Sequence, residues 1–450
     1  MIKNINDLIR SDLHRIALDI IVKGIERADP YKAIHNTVKV SGNRIYIDNV
    51  EIYLDKSRIH VIGFGKASRR MAEAIVNIIG EYIYGGIIIS PEYSGVIGSL
   101  RILKGDHPIP SENTVNSSKQ LINYIEKNVR EDDIVIVLIS GGGSALFEIP
   151  EDGVDIEDIA SISKELMRRG ADIFELNTVR KRLSKVKGGK LLRYLKASKI
   201  ISLIISDVVG DRLDIIASGP TAPDKTTAME AIEILKKYNL WDDLPQGIKN
   251  VFYRAYNNPN SDTVKEGDPI LDRVINIIIA SNIDSLRYMA QIAKDYGFNP
   301  MILTSMLEGE AREVGKVLAS IIKSIYLYEI PLKRPVAILA GGETTVTVKG
   351  NGIGGRNQEL CLSLAYNLRN ISYREYVAIC IGSDGIDGTS PAAGALIDGY
   401  IHDEYRSMNI DPLDYLNNND SYTFFSKLRR SIITGYTGTN VNDFFLALLR

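Results

Sequence analysis

The chain has 450 residues, 45% of them hydrophobic, which is enough for more than one core and suits two or three domains of about 100–200 residues each. Lys plus Arg number 54 and Asp plus Glu 56, a formal net charge of −2. That balance excludes a general nucleic-acid or membrane-surface binder, which carries a basic excess, and leaves room for a local basic pocket.

The first residues, Met1-Ile2-Lys3-Asn4-Ile5-Asn6-Asp7, are polar and mixed, unlike a signal peptide. No run approaches the roughly 18 apolar residues of a membrane span. Residues 5–27 repeat Leu8, Ile9, Leu13, Ile16, Ala17, Ile20 and Ile21 at helical spacing. Residues 37–54 alternate like a hairpin, with a turn at Ser41-Gly42-Asn43. Strands then alternate with helices: Ile59 to Ile62, Gly86 to Ile89, Ile134 to Ile139 and Ile200 to Ile205, with helices at Lys66 to Ile79 and Glu112 to Asn128. The rhythm returns at Ile275 to Ile279, Met301 to Leu303, Val336 to Leu339 and Tyr376 to Ile381, separated by helices at 282–296, 309–328 and 357–369. Apolar strands alternating with amphipathic helices predict α/β domains, each a mostly parallel sheet covered by helices. The boundary falls within 241–270, around Trp241 and the polar loop 257–262. This gives a Rossmann-like domain over 1–262 and a second α/β domain over 263–450, whose C-terminal helix is free to pack back on the first. Cys361 and Cys380 lack zinc or redox spacing and read as buried residues of a cytoplasmic protein.

Open parallel sheets bind ligands beyond the C-terminal ends of their strands, so the residues after each apolar run carry the chemistry. Gly63-Phe64-Gly65-Lys66-Ala67-Ser68 fails the Walker A test at His60 and the dinucleotide test at Ser68. What remains is a tight turn with a lysine at a helix N-terminus, a place that suits an anion. Ser140-Gly141-Gly142-Gly143-Ser144-Ala145 reads as a nest of N–H donors for phosphate or carboxylate; Leu146 excludes the hydrolase elbow around Ser144. In Ser206-Asp207-Val208-Val209-Gly210-Asp211, Asp207 lies nearest the strand end and suits Mg²⁺, although capping aspartates read the same way. Ala217-Ser218-Gly219-Pro220-Thr221 adds another turn of small donors. The basic run Arg180 to Lys190 is either a solvated helix face or the surround of a polyanionic substrate. His107, before Pro108, is an acid–base candidate in what is more often a structural turn.

In the second half, Gly341-Gly342-Glu343-Thr344 follows a strand, and Gly350 to Gly355 leads into Arg356-Asn357-Gln358-Glu359. Arg356 opens a helix with its fork free to clamp a phosphoryl group or a carboxylate. Asp384, in Gly382-Ser383-Asp384-Gly385-Ile386-Asp387-Gly388, binds metal or ribose hydroxyls, or holds the turn. Thr437 to Asp443 precede an expected short apolar helix.

Taken in order, these loops resemble glycerate 2-kinase of the MOFRL-containing type, from about residue 5 to the C-terminus. The resemblance implies two α/β domains with the active site in the inter-domain cleft, the second domain being of the MOFRL type. It implies ATP-dependent phosphorylation of D-glycerate at the 2-hydroxyl with Mg²⁺ or another divalent cation, and it favours Lys66 and Arg356 as catalytic residues. Asp207 joins them, holding metal or orienting the hydroxyl, with Asp384 as a second metal candidate. The expected substrate and phosphate contacts are Gly65, Ser140, Gly141, Gly142, Gly143, Ser144, Ser218, Gly219, Gly342, Glu343 and Asn357. No nucleic acid or membrane partner is expected, and a homo-oligomer is compatible with this reading. Two alternatives stand beside it. One is an NAD(P)H-dependent hydroxypyruvate reductase using the 350–355 glycines, for which Glu375 falls before the next strand rather than at its end. The other is a non-catalytic sugar-phosphate sensor.

Overall fold

The computed structural model describes residues 1–54, 57–92 and 94–450. Its contacts divide the chain into a middle unit, Pro30–Ile279, and a split unit of Met1–Asp29 with Ala280–Arg450. The division expected between 262 and 263 therefore shifts. Residues 263–279 stay with the middle unit because they run into a strand of its sheet, and the N-terminal helices fill the core of the split unit.

In the middle unit, β1 (Val38–Ser41), β2 (Arg44–Ile47) and β3 (Val50–Tyr53) form an antiparallel meander, one strand more than the expected hairpin. The main sheet holds β4 (Ile59–Phe64), β5 (Ile83–Ser90), β6 (Gly95–Ile97), β7 (Leu100–Lys104), β8 (Ile134–Ile139), β9 (Lys199–Ile205) and β10 (Val274–Ala280) in the order β10-β9-β8-β4-β5-β7-β6. β4 pairs in parallel with β5 and β8, β5 with β7 and β8 with β9; the edge pair β6–β7 is antiparallel. β4 and β8 are buried throughout, as unbroken apolar runs with both faces covered should be. From β4 the chain moves outward to β5 and β7, then returns to β8 on the other side. The switch point of the sheet therefore lies between β4 and β8, and their outgoing loops diverge there to leave a crevice.

Helices Ile156–Arg168, Ile173–Leu183, Ala228–Lys237 and Gln246–Asn257 form a further layer with its own core around Trp241 and Phe252. It is built from the two stretches on either side of β9. Each of the first three helices opens on a capping box, at Asp155, Asp172 and Thr227.

The split unit holds β11 (Asn299–Leu307), β12 (Val336–Gly342), β13 (Tyr376–Gly382), β14 (Gly394–Asp398), β15 (Ser431–Ile432) and β16 (Asp443–Leu449), in the order β11-β12-β16-β13-β14-β15. β11 and β12 are parallel, and β13 runs in their direction. The expected C-terminal helix is instead β16, inserted antiparallel between β12 and β13. The α/β class holds in both units; in the second sheet β11 and β12 are parallel, while the two ladders of β16 and those of β14 with β13 and β15 are antiparallel, where mostly parallel ones were expected. Helix Asn282–Asp295 and helix Asp12–Arg27 pack together, and the latter also covers β13 and β16. The expected 5–27 helix is broken into Ile5–Leu8 and Asp12–Arg27, with the extended Ser11 between them.

Leu13, Ile16, Ile20, Ile21 and Ile25 of helix Asp12–Arg27 are buried. Ile20→Ala should cost about 2–4 kcal/mol, the lost transfer energy plus a cavity. Urea unfolding followed by circular dichroism measures it; a cost below about 0.5 kcal/mol would mean the helix is not part of that core.

Candidate active site

At the switch point the loops after β4 and β8 interlock. The Lys66 N–H donates to the Gly141 carbonyl at 2.9 Å, and the Ala67 N–H to Ser140 Oγ at 3.0 Å. Gly65 has φ +127°, and a Cβ there would fall 2.2 Å from Ser140 Oγ, so only glycine allows this approach. A Cβ on Gly141 would meet the Asp207 carboxylate at 2.0 Å, which places Asp207 directly behind the glycine run. A Cβ on Gly142 would meet the His107 ring at 2.8 Å and Lys66 Cγ at 3.1 Å. The topology thus gathers Lys66, Asp207 and His107 around Gly141 and Gly142. The Lys66 side chain is exposed and has no carboxylate partner among the described residues. Burial, and then the Lys66 charge, hold the His107 imidazole below its ordinary 6.5 and keep it neutral.

Ala217, Ser218 and Gly219 lie consecutively in the left-handed region, at φ 50°, 61° and 62°. Two non-glycine residues there are costly, and the conformation turns the buried Ser218 hydroxyl to face Ser144 Oγ at 2.8 Å and Asn177 Oδ1 at 2.8 Å. Ser218 thus braces the half-buried Ser144, Gly219 accepts from the Gly189 N–H at 2.7 Å, and Ser140 and Gly143 are buried within the loop itself. Asn177, not singled out in the sequence, completes the chain of hydrogen bonds.

In the split unit, Asp443 opens β16 in register with both Gly342 and Gly382. Arg356 Nε and Nη2 donate to its carboxylate at 2.6 and 3.1 Å, and Nη1 donates to Glu343 at 2.5 Å. The Arg356 fork is therefore held, where a free one was expected. Burial pushes the Asp443 carboxyl up to about 7, in spite of the Arg356 charge and with help from Asp387. Asp384 Oδ1 and Asp443 Oδ1 both lie within 3.4 Å of the place a Gly382 Cβ would take. Asp387 is buried and receives the N–H groups of Asn357 and Gln358 at 3.0 and 2.8 Å, capping helix Arg356–Leu368. The Asn357 side chain also donates to Asp387 at 3.3 Å. Asp443 and Asp387 were missed as site residues; their only signal was position, one ahead of an apolar run and one in a glycine-rich turn.

Family models match residues 16–253, described as a domain of unknown function (DUF4147), and residues 336–443, described as the MOFRL family. A glycerate 2-kinase of Pyrococcus horikoshii is 40% identical over 444 residues, covering 98% of each chain. A D-glycerate 2-kinase of Thermotoga maritima is 39% identical over 441 residues, covering 97% of this chain and 98% of that one. The chain belongs to the MOFRL-containing glycerate 2-kinase family. A crystal structure of glycerate kinase from Thermotoga maritima superposes with a TM-score of 0.86 at 38% identity, over 97% of this chain and 99% of that chain.

Two expectations read differently against this glycerate 2-kinase fold. A dinucleotide site at 350–355 needs a helix N-terminus open to a pyrophosphate. Here Asp387 occupies that N-terminus, and a Cβ on Gly350 or Gly352 would strike the backbone of Asn418 or Asp420. From Lys181 to Lys190 the basic run is mostly neither a solvated face nor open to an anion, because its cations are paired within the fold. Lys181 pairs with Asp224 at 2.9 Å, Arg182 with Asp224 and Asp262 at 2.9 and 3.0 Å, Lys187 with Glu148, and Lys190 with Glu151 at 2.9 Å. Their carboxylates come from remote parts of the sequence, so the run alone could not disclose them.

Burial pushes the Asp224 carboxyl up, but the charges of Arg182 and Lys181 outweigh it and hold it at about 2 against an ordinary 3.8. Its contribution to stability is full above pH 3.8 and disappears as pH falls through 3.8 towards 2. Arg182→Met should cost about 3 kcal/mol at pH 7, because the buried Asp224 and Asp262 each lose one of two cationic partners, and should flatten the acid limb in that window. Urea titrations across pH 2 to 7 check both; an unchanged acid limb would remove Arg182 as the cause.

Proposed function

We propose that the protein transfers the γ-phosphoryl group of ATP to the 2-hydroxyl of D-glycerate, giving 2-phosphoglycerate and ADP. The observation that carries this reading is the end-to-end match to glycerate 2-kinases at about 40% identity. The local geometry agrees with it. Phosphoryl transfer asks a protein chiefly for positioning and for neutralisation of charge on the transferred group. Lys66, exposed at the switch point and without a carboxylate partner, is assigned to that charge. The turn of Gly65 and Gly141 to Ser144 receives phosphate or carboxylate oxygens, braced by Ser140 and by Ser218 of the adjoining Ser218-Gly219 turn.

Arg356 uses three N–H donors on Asp443 and Glu343 and keeps others to spare. We assign the remainder to an anionic oxygen of a substrate, with Gly342 giving the backbone room for Glu343. Among the described residues no group of three or more His, Cys, Asp or Glu is arranged to hold a metal ion. Mg²⁺ needs less, one or two carboxylates completed by substrate phosphates and water, and Asp207 or Asp384 fits that donor set. When bound, the cation supplies charge neutralisation at the phosphates; orienting the acceptor hydroxyl falls to the protein. No helix of the described residues is long and apolar enough to cross a membrane. Work in the cytoplasm, in a homo-oligomer or alone, is consistent with this assignment.

Incubation with ATP, Mg²⁺ and D-glycerate, resolved by ³¹P NMR, should give a 2-phosphoglycerate signal with matching ADP. A 3-phosphoglycerate signal would overturn the regiochemistry, and the absence of any phosphorylated product beside an active control would overturn the reading. Lys66→Ala should lower kcat about 100-fold or more with the fold intact. Arg356→Lys, which keeps a charge between the two carboxylates but loses the fork, should do likewise. Near-normal turnover in both variants would refute the residue assignment.

A further inference from the structure

Five cations between Lys181 and Lys190 have carboxylate partners: Lys181, Arg182, Lys185, Lys187 and Lys190. Arg180 does not. Among the described residues it makes no ion pair or hydrogen bond, and its Nε is shielded from water with no acceptor. Burial pulls its pKa below the ordinary 12.5, and Glu148, the one charge near enough to oppose this, is committed to Lys187. A guanidinium with a buried, unsatisfied donor is unfavourable in the protein alone, and an arriving anion relieves it.

Its place in the fold says which anion. Arg180 lies three residues after Asn177 on helix Ile173–Leu183, so the two share a face. Asn177 accepts from Ser218, which meets Ser144 on the glycine turn after β8. On the far side of Ser144, the same short segment carries Glu148. Arg180 is itself half-buried. With Lys187 cancelling Glu148, this corner offers one uncompensated positive charge on the helix face that Asn177 and Ser218 tie to Ser144. That balance matches a monoanion with two coplanar oxygens rather than a triphosphate, which demands several cations or a metal.

We propose that Arg180 binds the carboxylate of D-glycerate and so selects hydroxy acids over neutral polyols. The assignment rests on the kinase reading above and deepens it, and it leaves Lys66 for the phosphoryl group.

The test uses full-length wild type, Arg180→Met and Arg180→Lys, with D-glycerate, ATP and D-glyceramide, in which an amide replaces the carboxylate. Arg180→Met should raise the KM for D-glycerate about 30-fold or more, leave that for ATP within about twofold, and leave D-glyceramide turnover unimpaired. Arg180→Lys, keeping the charge without the fork, should fall between. The melting temperature of Arg180→Met should not drop, since no protein partner is lost; this separates a ligand contact from a structural arginine. A rise in the KM for ATP alone would overturn the carboxylate in favour of a phosphate contact, and unchanged constants for both substrates would overturn the proposal altogether. If the wild type turned over no D-glycerate, the kinase reading would fail by itself. Calorimetric titration of D-glycerate into wild type and Arg180→Met would then decide Arg180 separately. Heat lost in the variant supports the contact, and equal heats refute it.

Discussion

The split unit depends on one register. β12 and β13 run the same way but do not touch; β16 enters between them, antiparallel to both, and pairs with each along its whole length. Without β16 each would present a row of unpaired backbone groups to its neighbour. Because the pairing is antiparallel, the first residue of β16 lies opposite the last residue of both strands. Asp443 therefore stands at the carboxyl edge, where Glu343 and Asp384 leave their strands, and Arg356 closes on it from the next helix. An acid that titrates near neutrality beside a forked arginine is the kind of group that collects at functional sites.

The middle unit meets its own constraint sterically. Its crevice exists because the order of strand addition reverses between the parallel neighbours β4 and β8, and its lining exists because Gly65 and Gly141 carry no side chain. The surrounding electrostatics are tightly balanced. Lys181, Arg182, Lys187 and Lys190 are neutralised by carboxylates with little contact with water, while Lys66 beside the glycine turn has no carboxylate partner among the described residues. A buried network of this kind is weak as a source of stability but strict about geometry.

Much of this was legible in the sequence, for identifiable reasons. Strands buried on both faces must be continuous apolar runs, so β4, β8, β9, β12 and β13 stood out, and with them the loops that hold Lys66, Asp207 and Asp384. β16 was misread because Phe444 to Leu449 is equally apolar but rich in leucine and alanine, and a fully buried strand shows no alternation that separates it from a short helix. The partners of Lys181, Arg182 and Lys187 lay beyond any local pattern, since they are 39 to 80 residues away in sequence. The same holds for the Ser144–Ser218–Asn177 chain. Spacing along the chain finds the loops; only the fold says which of their side chains face a ligand and which brace one another.

The division of the chain also sets a timetable for its synthesis. The middle unit has all its residues once position 279 has emerged. Helix Asp12–Arg27 emerges early, yet its partners, helix Asn282–Asp295, β13 and β16, are all made after the middle unit. At ordinary rates of translation, Leu13, Ile16, Ile20, Ile21 and Ile25 stay without their core for on the order of tens of seconds. A nascent chain in that condition presents a sticky amphipathic helix ahead of an already folded body. The discontinuity that gives the finished unit its core thus makes the growing polypeptide a natural client for holding chaperones.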